Sequence, residues 1–382
     1  MSSLATRVFG RSTVSEFLGD QVVYRNLSPQ DGRIPGLEAL REQVGLPPGR
    51  IPRKSELDYA RVVVYMLRQA RQLETPTTHI QRLVFVGDTR LNDSTAFGNL
   101  CQAGDWQGLA FIASENANPP AVEIVPMESG SRLYLANRWA SLPDFDRYCA
   151  EQGFAIDEAT AVVVDLDKTA LGARGRNAHV IDQARVQAVE DTVAKLLGGD
   201  FNAAAFRKAY DTLNQVEFHT FTGDNQDYLA YICLILGTGL YDLGNVVADV
   251  NEGRLESFRQ FISGVDERST GLPDGLRSLH DGIYARVKAG DPTPFKTFRR
   301  NEYLATVGRM GFIDDGSPVE SILANEIVIT QEVRAQALEW GRRGALLFGL
   351  SDKPDEASVP TPELRSQGYQ SIHCTETHVV GV

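Results

Sequence analysis

The chain predicts an α/β protein with a Rossmann-like, mostly parallel sheet, helices on both faces and an inserted all-α domain. Short apolar runs bounded by turn residues mark strands at 83–86, 109–113, 162–164, 327–330 and 345–348. Segments of helical spacing alternate with these runs. Between about residues 178 and 310, every apolar pattern is helical. With 382 residues and 42% hydrophobic content, the chain is long enough for two or three domains. The expected division is an N-terminal arm at 1–54, a first core segment at 55–170, a helical insert at 171–325, and a second core segment with the tail at 326–382.

In chain order, the arm is rich in Gly, Pro and Arg, and the adjacent Pro47 and Pro48 exclude a helix interior there. From a Ser55 cap, Leu57, Ala60, Val63, Val64, Leu67 and Ala70 form one helical stripe. The run ending at Gly87-Asp88 is a buried strand, residues 94–101 a helix, and 109–113 another strand. A stretch bearing Pro119, Pro120 and Pro126 precedes a helix at 144–152 and the strand carrying Asp165. Inside the insert, the stripe of Val186, Val189, Val193 and Leu197 stops at Gly198-Gly199. Further helices are expected at 201–213, 228–236, 255–262 and 276–287. Strand texture returns at 327–330, followed by a helix through Val333, Ala337 and Trp340 and a last strand leading to Ser351-Asp352-Lys353-Pro354. The tail after Pro360 carries no pattern.

A net charge of −12 argues against a nucleic-acid partner, which requires a basic face. No uncharged apolar stretch approaches membrane-spanning length, and the amino terminus lacks the apolar core of a signal peptide. Cys101, Cys149, Cys233 and Cys374 are scattered without metal-site or disulfide spacing. The expectation is a cytoplasmic protein with no nucleic-acid or membrane partner.

Asp165 and Asp167 end the apolar run of Val162, Val163 and Val164. Residues two apart on an extended segment project to one side, so both carboxylates stand beyond the carboxyl end of a buried strand, where open α/β sheets gather ligands. Thr330, Lys353 and the Asp88/Asp93 pair in Gly87-Asp88-Thr89-Arg90-Leu91-Asn92-Asp93 follow three further runs, read as strands of the same sheet. Each alone has a bland reading as a cap or turn former. Arg174, Arg176 and Asn177 read as solvated hinge residues, and the six histidines as surface or satisfied core residues without metal-ligand spacing.

Together these residues resemble the haloacid dehalogenase (HAD) superfamily, whose motifs are a strand ending DxDxT, one ending in Thr or Ser, a Lys, and an acidic GDxxxD or GDxxxxD. Asp165-Leu166-Asp167-Lys168-Thr169 matches the first motif, with Lys168 where many members have Gly, and Ser351-Asp352-Lys353-Pro354 is close to a form seen in phosphoglycolate-phosphatase-like members. The acidic motif departs in order: it precedes the DxD in this chain. A circular permutation accounts for this, with the Asp88 strand beside that of Asp165, in cis or by exchange between subunits.

The resemblance implies a Mg²⁺-dependent phosphatase acting on a small organic phosphomonoester. Asp165 is then the nucleophile and Asp167 the acid/base. Lys353 and Thr330 offset phosphoryl charge. Asp165, Asp88 and the Asp167 carbonyl hold the metal, supported by Asp93. The insert occupies the place of a C1-type cap. Three alternatives stay open: a phosphomutase or phosphotransferase of the same superfamily, a DxD-containing glycosyltransferase, and a non-catalytic HAD-fold binding protein. Substrate identity and oligomeric state are not legible.

Overall fold

A computed structural model describes residues 6–127 and 130–382. The first five residues of the predicted arm lie outside it. Ten strands are present among the described residues: β1 (Arg7–Ser12), β2 (Val22–Val23), β3 (Arg82–Gly87), β4 (Gln107–Ala113), β5 (Val122–Pro126), β6 (Arg132–Ala136), β7 (Thr160–Asp165), β8 (Ile329–Thr330), β9 (Leu346–Leu350) and β10 (Thr377–Gly381). Seven of them form a sheet in the order β2-β9-β7-β3-β4-β6-β5. Every neighbouring pair is parallel except the β5–β6 edge hairpin. The chain is thus a mixed α/β protein with helices around a mostly parallel sheet.

Alternation along the strands explains the two covered faces. Leu83, Phe85, Ala110, Ala161, Val163, Leu346 and Phe348 point to one face, where they pack with Val63, Met66 and Leu67 of the Leu57–Glu74 helix and Phe97 and Leu100 of the Asn92–Gly104 helix. On the other face, Phe111 meets Tyr134, Trp139 and Phe145, and Phe145 meets Trp340 edge-on. β7 lies in the middle of the sheet, and every one of its residues is buried.

Two sequence expectations change here. β8 lies outside the main sheet: it pairs with β10, which pairs with β1, in a separate three-stranded sheet. The tail that carried no pattern therefore supplies β10. The segment expected to be an arm is also built into the protein. It contributes β1 and the edge strand β2, and Val14, Val22, Val23, Tyr24 and Leu27 are almost wholly inaccessible. Its many glycines and prolines break up helices, but they do not prevent a two-residue edge strand from burying its side chains.

The chain divides into two compact units, residues 1–183 with 306–382 and residues 184–305, rather than at 170/171 and 325/326. The second unit is helical, with its own apolar core built from the Ala203–Leu213, Gln226–Gly237, Phe258–Glu267 and Asp274–Lys288 helices. Inside that core a buried ion network joins Asp227, Arg299 and Glu302. Helix ends follow the local chemistry: Ser257 and Gln260 form a complete capping box, and Gly198 stops the preceding helix with a φ of 56°. Among the described residues no helix is long and apolar enough to cross a membrane.

Candidate functional site

β3 and β7 run side by side, with Val86 opposite Val164. The residues that leave their carboxyl ends, Asp88 and Asp165, therefore emerge together. Carboxylate oxygens of Asp88, Asp93 and Asp165 lie within 4.8 Å of one another, and all three residues are buried. The whole cluster comes from one chain. Gly87 makes the approach possible, because a Cβ there would stand 2.6 Å from Asp93 Oδ2.

Asp93 is tied down on every side. Its Oδ2 accepts the Asp88 N–H at 2.9 Å, the Thr89 N–H at 2.8 Å and the Thr89 hydroxyl at 2.9 Å. Its Oδ1 accepts from Lys54 Nζ at 2.7 Å. The same ammonium donates to Asp165 Oδ1 at 2.6 Å, while Asp165 Oδ2 accepts from the Thr169 hydroxyl at 3.1 Å. Asp88 Oδ2 accepts from Arg174 Nε. Lys54 is almost wholly buried, just ahead of the Leu57–Glu74 helix, in a turn closed by the Glu56 N–H on the Arg53 carbonyl. Glu56, not Ser55, occupies the helix cap, and it makes no side-chain capping bond.

The charges explain the titration behaviour. Burial opposes the Lys54 charge, but Asp165 and Asp93 outweigh it and hold the ammonium well above its ordinary value. Burial is likewise the largest influence on Asp93, and Lys54 with the two backbone donors overcomes it, bringing the carboxyl down to about 2. Asp88 goes the other way: burial and Asp93 push it up to about 7 against the pull of Arg174. Burial also raises Asp165, against the attraction of Lys54 and with the repulsion of Asp93 and Asp88. Three carboxylates thus face two cations, and the strain of the surplus negative charge falls on Asp88 and Asp165. An all-oxygen donor set that is short of positive charge suits a hard divalent cation.

The remaining predicted residues are distributed differently. Asp167 is half-buried just past β7 and does not join the carboxylate cluster; it lines a narrow crevice with Ser351 and Lys353. Lys353 Nζ donates to Thr306 Oγ1 at 3.1 Å, so the cation at Asp165 is Lys54 rather than Lys353. The reason is register: β9 pairs Leu350 with Asp165, and Lys353 lies three residues beyond that pair, where the chain has turned away. Thr330, displaced with β8, donates its hydroxyl to the Thr169 carbonyl at 2.5 Å, and its N–H reaches the Ala170 carbonyl at 2.9 Å. It braces the loop after the DxD. Lys168, in that loop, adopts the left-handed φ of 66° and pairs with Asp182 at 2.8 Å.

In comparisons with protein-family models, curated proteins and solved structures, nothing matches this chain. The site therefore has to be read from its own chemistry.

Sequence reasoning passed over three participants. Lys54 sat in a segment taken for an arm, and its one signal was a lone lysine ahead of the helix that leads into β3. Ser351 belongs to the same turn as Lys353, the residue the resemblance points to. It is Ser351 that directly follows the Leu350–Asp165 pair, buried, with its Oγ accepting the Lys353 N–H at 3.1 Å. Arg174 and its neighbours are not solvated hinge residues. Arg174 pairs with Asp88, Arg176 bridges Glu115 at 2.7 Å and Glu332 at 2.8 Å, and the buried Asn177 donates to the Leu323 and Glu326 carbonyls.

Beside Asp88, a cleft of about 350 Å³ opens over the ends of β3, β4 and β6, with Arg90, Ser114, Asn116, Glu123 and Asn137 among its walls. A larger cleft of about 680 Å³ lies at the opposite end of the strands, bordered by Glu158, Ala345 and Leu347, and holds none of the carboxylate cluster. The smaller one is the cleft that borders the carboxylate cluster, through Asp88.

Proposed function

We propose that this protein is a Mg²⁺-dependent phosphomonoester hydrolase of the HAD type, with the acidic motif placed ahead of the DxD by circular permutation. The observation that carries the reading is the Lys54 ammonium shared between Asp165 and Asp93, with Asp88 alongside at the ends of two adjacent parallel strands. Phosphoryl transfer needs an in-line nucleophile and fixed positive charge around it; Asp165 is the candidate for the first, and Lys54 supports the second.

Asp165 attacks phosphorus through a carboxylate oxygen, and the bond to the leaving-group oxygen breaks as an aspartyl-phosphate forms. Asp167, two residues on and outside the carboxylate cluster, gives its proton to the leaving oxygen and then takes one from the water that hydrolyses the intermediate. Lys54 keeps Asp165 oriented and offsets its repulsion from the incoming phosphate, the task the sequence had given to Lys353. Ser351, at the end of the strand on the other side of β7, is the hydroxyl suited to a phosphoryl oxygen, while Thr330 braces the loop after the DxD. Asp165, Asp88 and the Asp167 carbonyl are the groups that would hold Mg²⁺, which when bound neutralises phosphate charge. The carboxylate cluster borders, through Asp88, a cleft of about 350 Å³ with room for the organic part of a small phosphomonoester, while Asp167 and Ser351 line the narrow crevice on the other side of β7.

The test is hydrolysis of an aryl phosphate with and without Mg²⁺, in the wild type and in Asp165→Asn. Metal-dependent turnover that disappears in the variant is expected. Equal rates in the two proteins remove Asp165 as nucleophile.

A further inference from the structure

A second cluster lies at the edge of the sheet, outside the carboxylate site. Asp20, His373 and Cys374 offer a carboxylate oxygen, an imidazole nitrogen and a thiol sulfur, all within 4.8 Å of one another. Cys374 Sγ stands 3.2 Å from His373 Nε2, which in turn is 3.4 Å from Asp20 Oδ1. Two neighbours on the short 3₁₀ turn Ile372–Cys374 thus meet a residue from just before β2.

We propose that Asp20, His373 and Cys374 form a binding site for a zinc ion. The spacing fits: with metal–ligand bonds of about 2.0 to 2.3 Å, donors on a tetrahedron are separated by about 3.3 to 3.6 Å. The donor set fits as well, since sulfur with imidazole selects a borderline-soft cation and disfavours magnesium. The imidazole is prepared for the role. His373 is buried, and Tyr24 Oη sits 3.1 Å from Nδ1, the outer contact that orients a ligating histidine and leaves Nε2 facing the other two donors. Entry is open, because the Asp20 side chain is 64% exposed and Asp20 also lines the larger cleft. Three protein ligands leave a fourth position for water or an incoming ligand. Binding converts the thiol to a thiolate and releases its proton to solvent.

The pairing was invisible in the sequence because His373 and Cys374 are adjacent instead of spaced, and their third partner is at the other end of the chain. Among the described residues the other two candidate clusters, Asp88 with Asp93 and Asp165, and Asp266 with His280 and Asp281, contain no sulfur. A thiolate signal therefore reports on this site alone.

The experiment is a cobalt(II) titration of the metal-free 382-residue chain under reducing, magnesium-free conditions, followed by zinc. A thiolate-to-cobalt charge-transfer band in the near ultraviolet, saturating at equimolar metal and bleached by zinc, is expected. It should be lost in Cys374→Ser and retained in Asp165→Asn. In Asp20→Asn, a change at an exposed side chain, the titration midpoint should move at least about tenfold to weaker binding. Tyr24→Phe, which removes the outer contact, should weaken binding roughly 10- to 100-fold. Absence of the band in wild type at excess cobalt, or its persistence in Cys374→Ser, overturns the proposal and leaves a thiol–imidazole hydrogen bond.

Discussion

Lys54 Nζ lies 2.6 Å from Asp165 Oδ1, across a separation of 111 positions in the chain. Both residues are buried, and the ammonium also holds Asp93. One cation thus fixes the DxD strand to the acidic loop of the neighbouring strand. Replacing a partner of a buried ion pair leaves uncompensated charge behind, at a typical cost of about 3 to 5 kcal/mol. Lys54→Met should therefore lower the unfolding free energy by roughly that amount and, under the proposed function, abolish turnover of an aryl phosphate as well. Chemical denaturation of the two proteins checks the first part. An unchanged denaturation midpoint would show that the ammonium is not holding the two carboxylates.

Asp88 gives the pH dependence. Its folded carboxyl is pushed up to about 7 from an ordinary 3.8, so a proton competes with any cation at the site below neutrality. Mg²⁺ affinity should then rise about tenfold between pH 6 and pH 8, as Asp88 passes from mostly protonated to mostly ionised. Calorimetric titration at the two pH values measures this, and Asp88→Asn should flatten it. An equal affinity at both pH values in wild type argues against Asp88 as a ligand. The linked effects on folding have opposite signs. Asp88, with a raised value, contributes stability at low pH that is lost as pH rises from about 4 through about 7. Asp93, with a value near 2, contributes stability above about 4 that is lost as pH falls towards 2.

Thr330 separates bracing from phosphate binding. Its hydroxyl is committed to the Thr169 carbonyl, and removing it strands a buried acceptor at a cost of about 1 to 3 kcal/mol. Thr330→Val should be destabilised by that amount, while Thr330→Ser retains most of the stability. Ser351→Ala strands the Lys353 N–H and should carry a stability cost of the same order, about 1 to 3 kcal/mol, but it should in addition raise KM or lower kcat for an aryl phosphate, which Thr330→Ser leaves unchanged. Finding the opposite assignment of effects would return the phosphate-binding hydroxyl to Thr330.

What the sequence made legible follows from periodicity. The runs at β3, β4, β7 and β9 are apolar throughout because each is buried on both faces of a parallel sheet, and these four strands were located. The β5–β6 hairpin was missed. β5 is an edge strand with largely exposed residues, ends in Pro126, and shows none of that signature. β2 has two residues, too few for any period. The Asp88, Asp93 and Asp165 grouping was foreseen because strand ends on one sheet converge. Lys54 and Ser351 were not, because choosing among polar residues at a strand end requires the register of neighbouring strands, and local pattern does not supply it. β8 was assigned to the wrong sheet for the same reason: its apolar run looks alike in either sheet, and only pairing with β10 distinguishes them.

The helical unit offers the cleanest test of a buried ion network, because the residues involved are remote in sequence from the carboxylate cluster. Arg299 binds Asp227 through Nε at 2.7 Å and Nη2 at 2.6 Å, and Glu302 through Nη1 at 2.6 Å, with none of the three more than 6% exposed. Asp227 Oδ1 also accepts the Phe295 N–H at 3.0 Å, so the network fixes the segment that enters the Lys296–Val307 helix. Arg299→Met leaves the buried Asp227 without its cation and Glu302 with Arg185 at 3.2 Å, for an expected loss of about 3 to 5 kcal/mol. The triple change Arg299→Met, Asp227→Leu, Glu302→Leu removes both carboxylates, releases an Arg185 side chain that is 22% exposed to solvent, and should recover part of that loss, because apolar packing often equals a buried ion pair in stability. Denaturation followed by far-ultraviolet circular dichroism measures both, and hydrogen exchange at the Phe295 amide reports the local effect. A single variant as stable as wild type, or a triple variant less stable than the single one, would mean that this network does not hold the helical core together in the way its geometry implies.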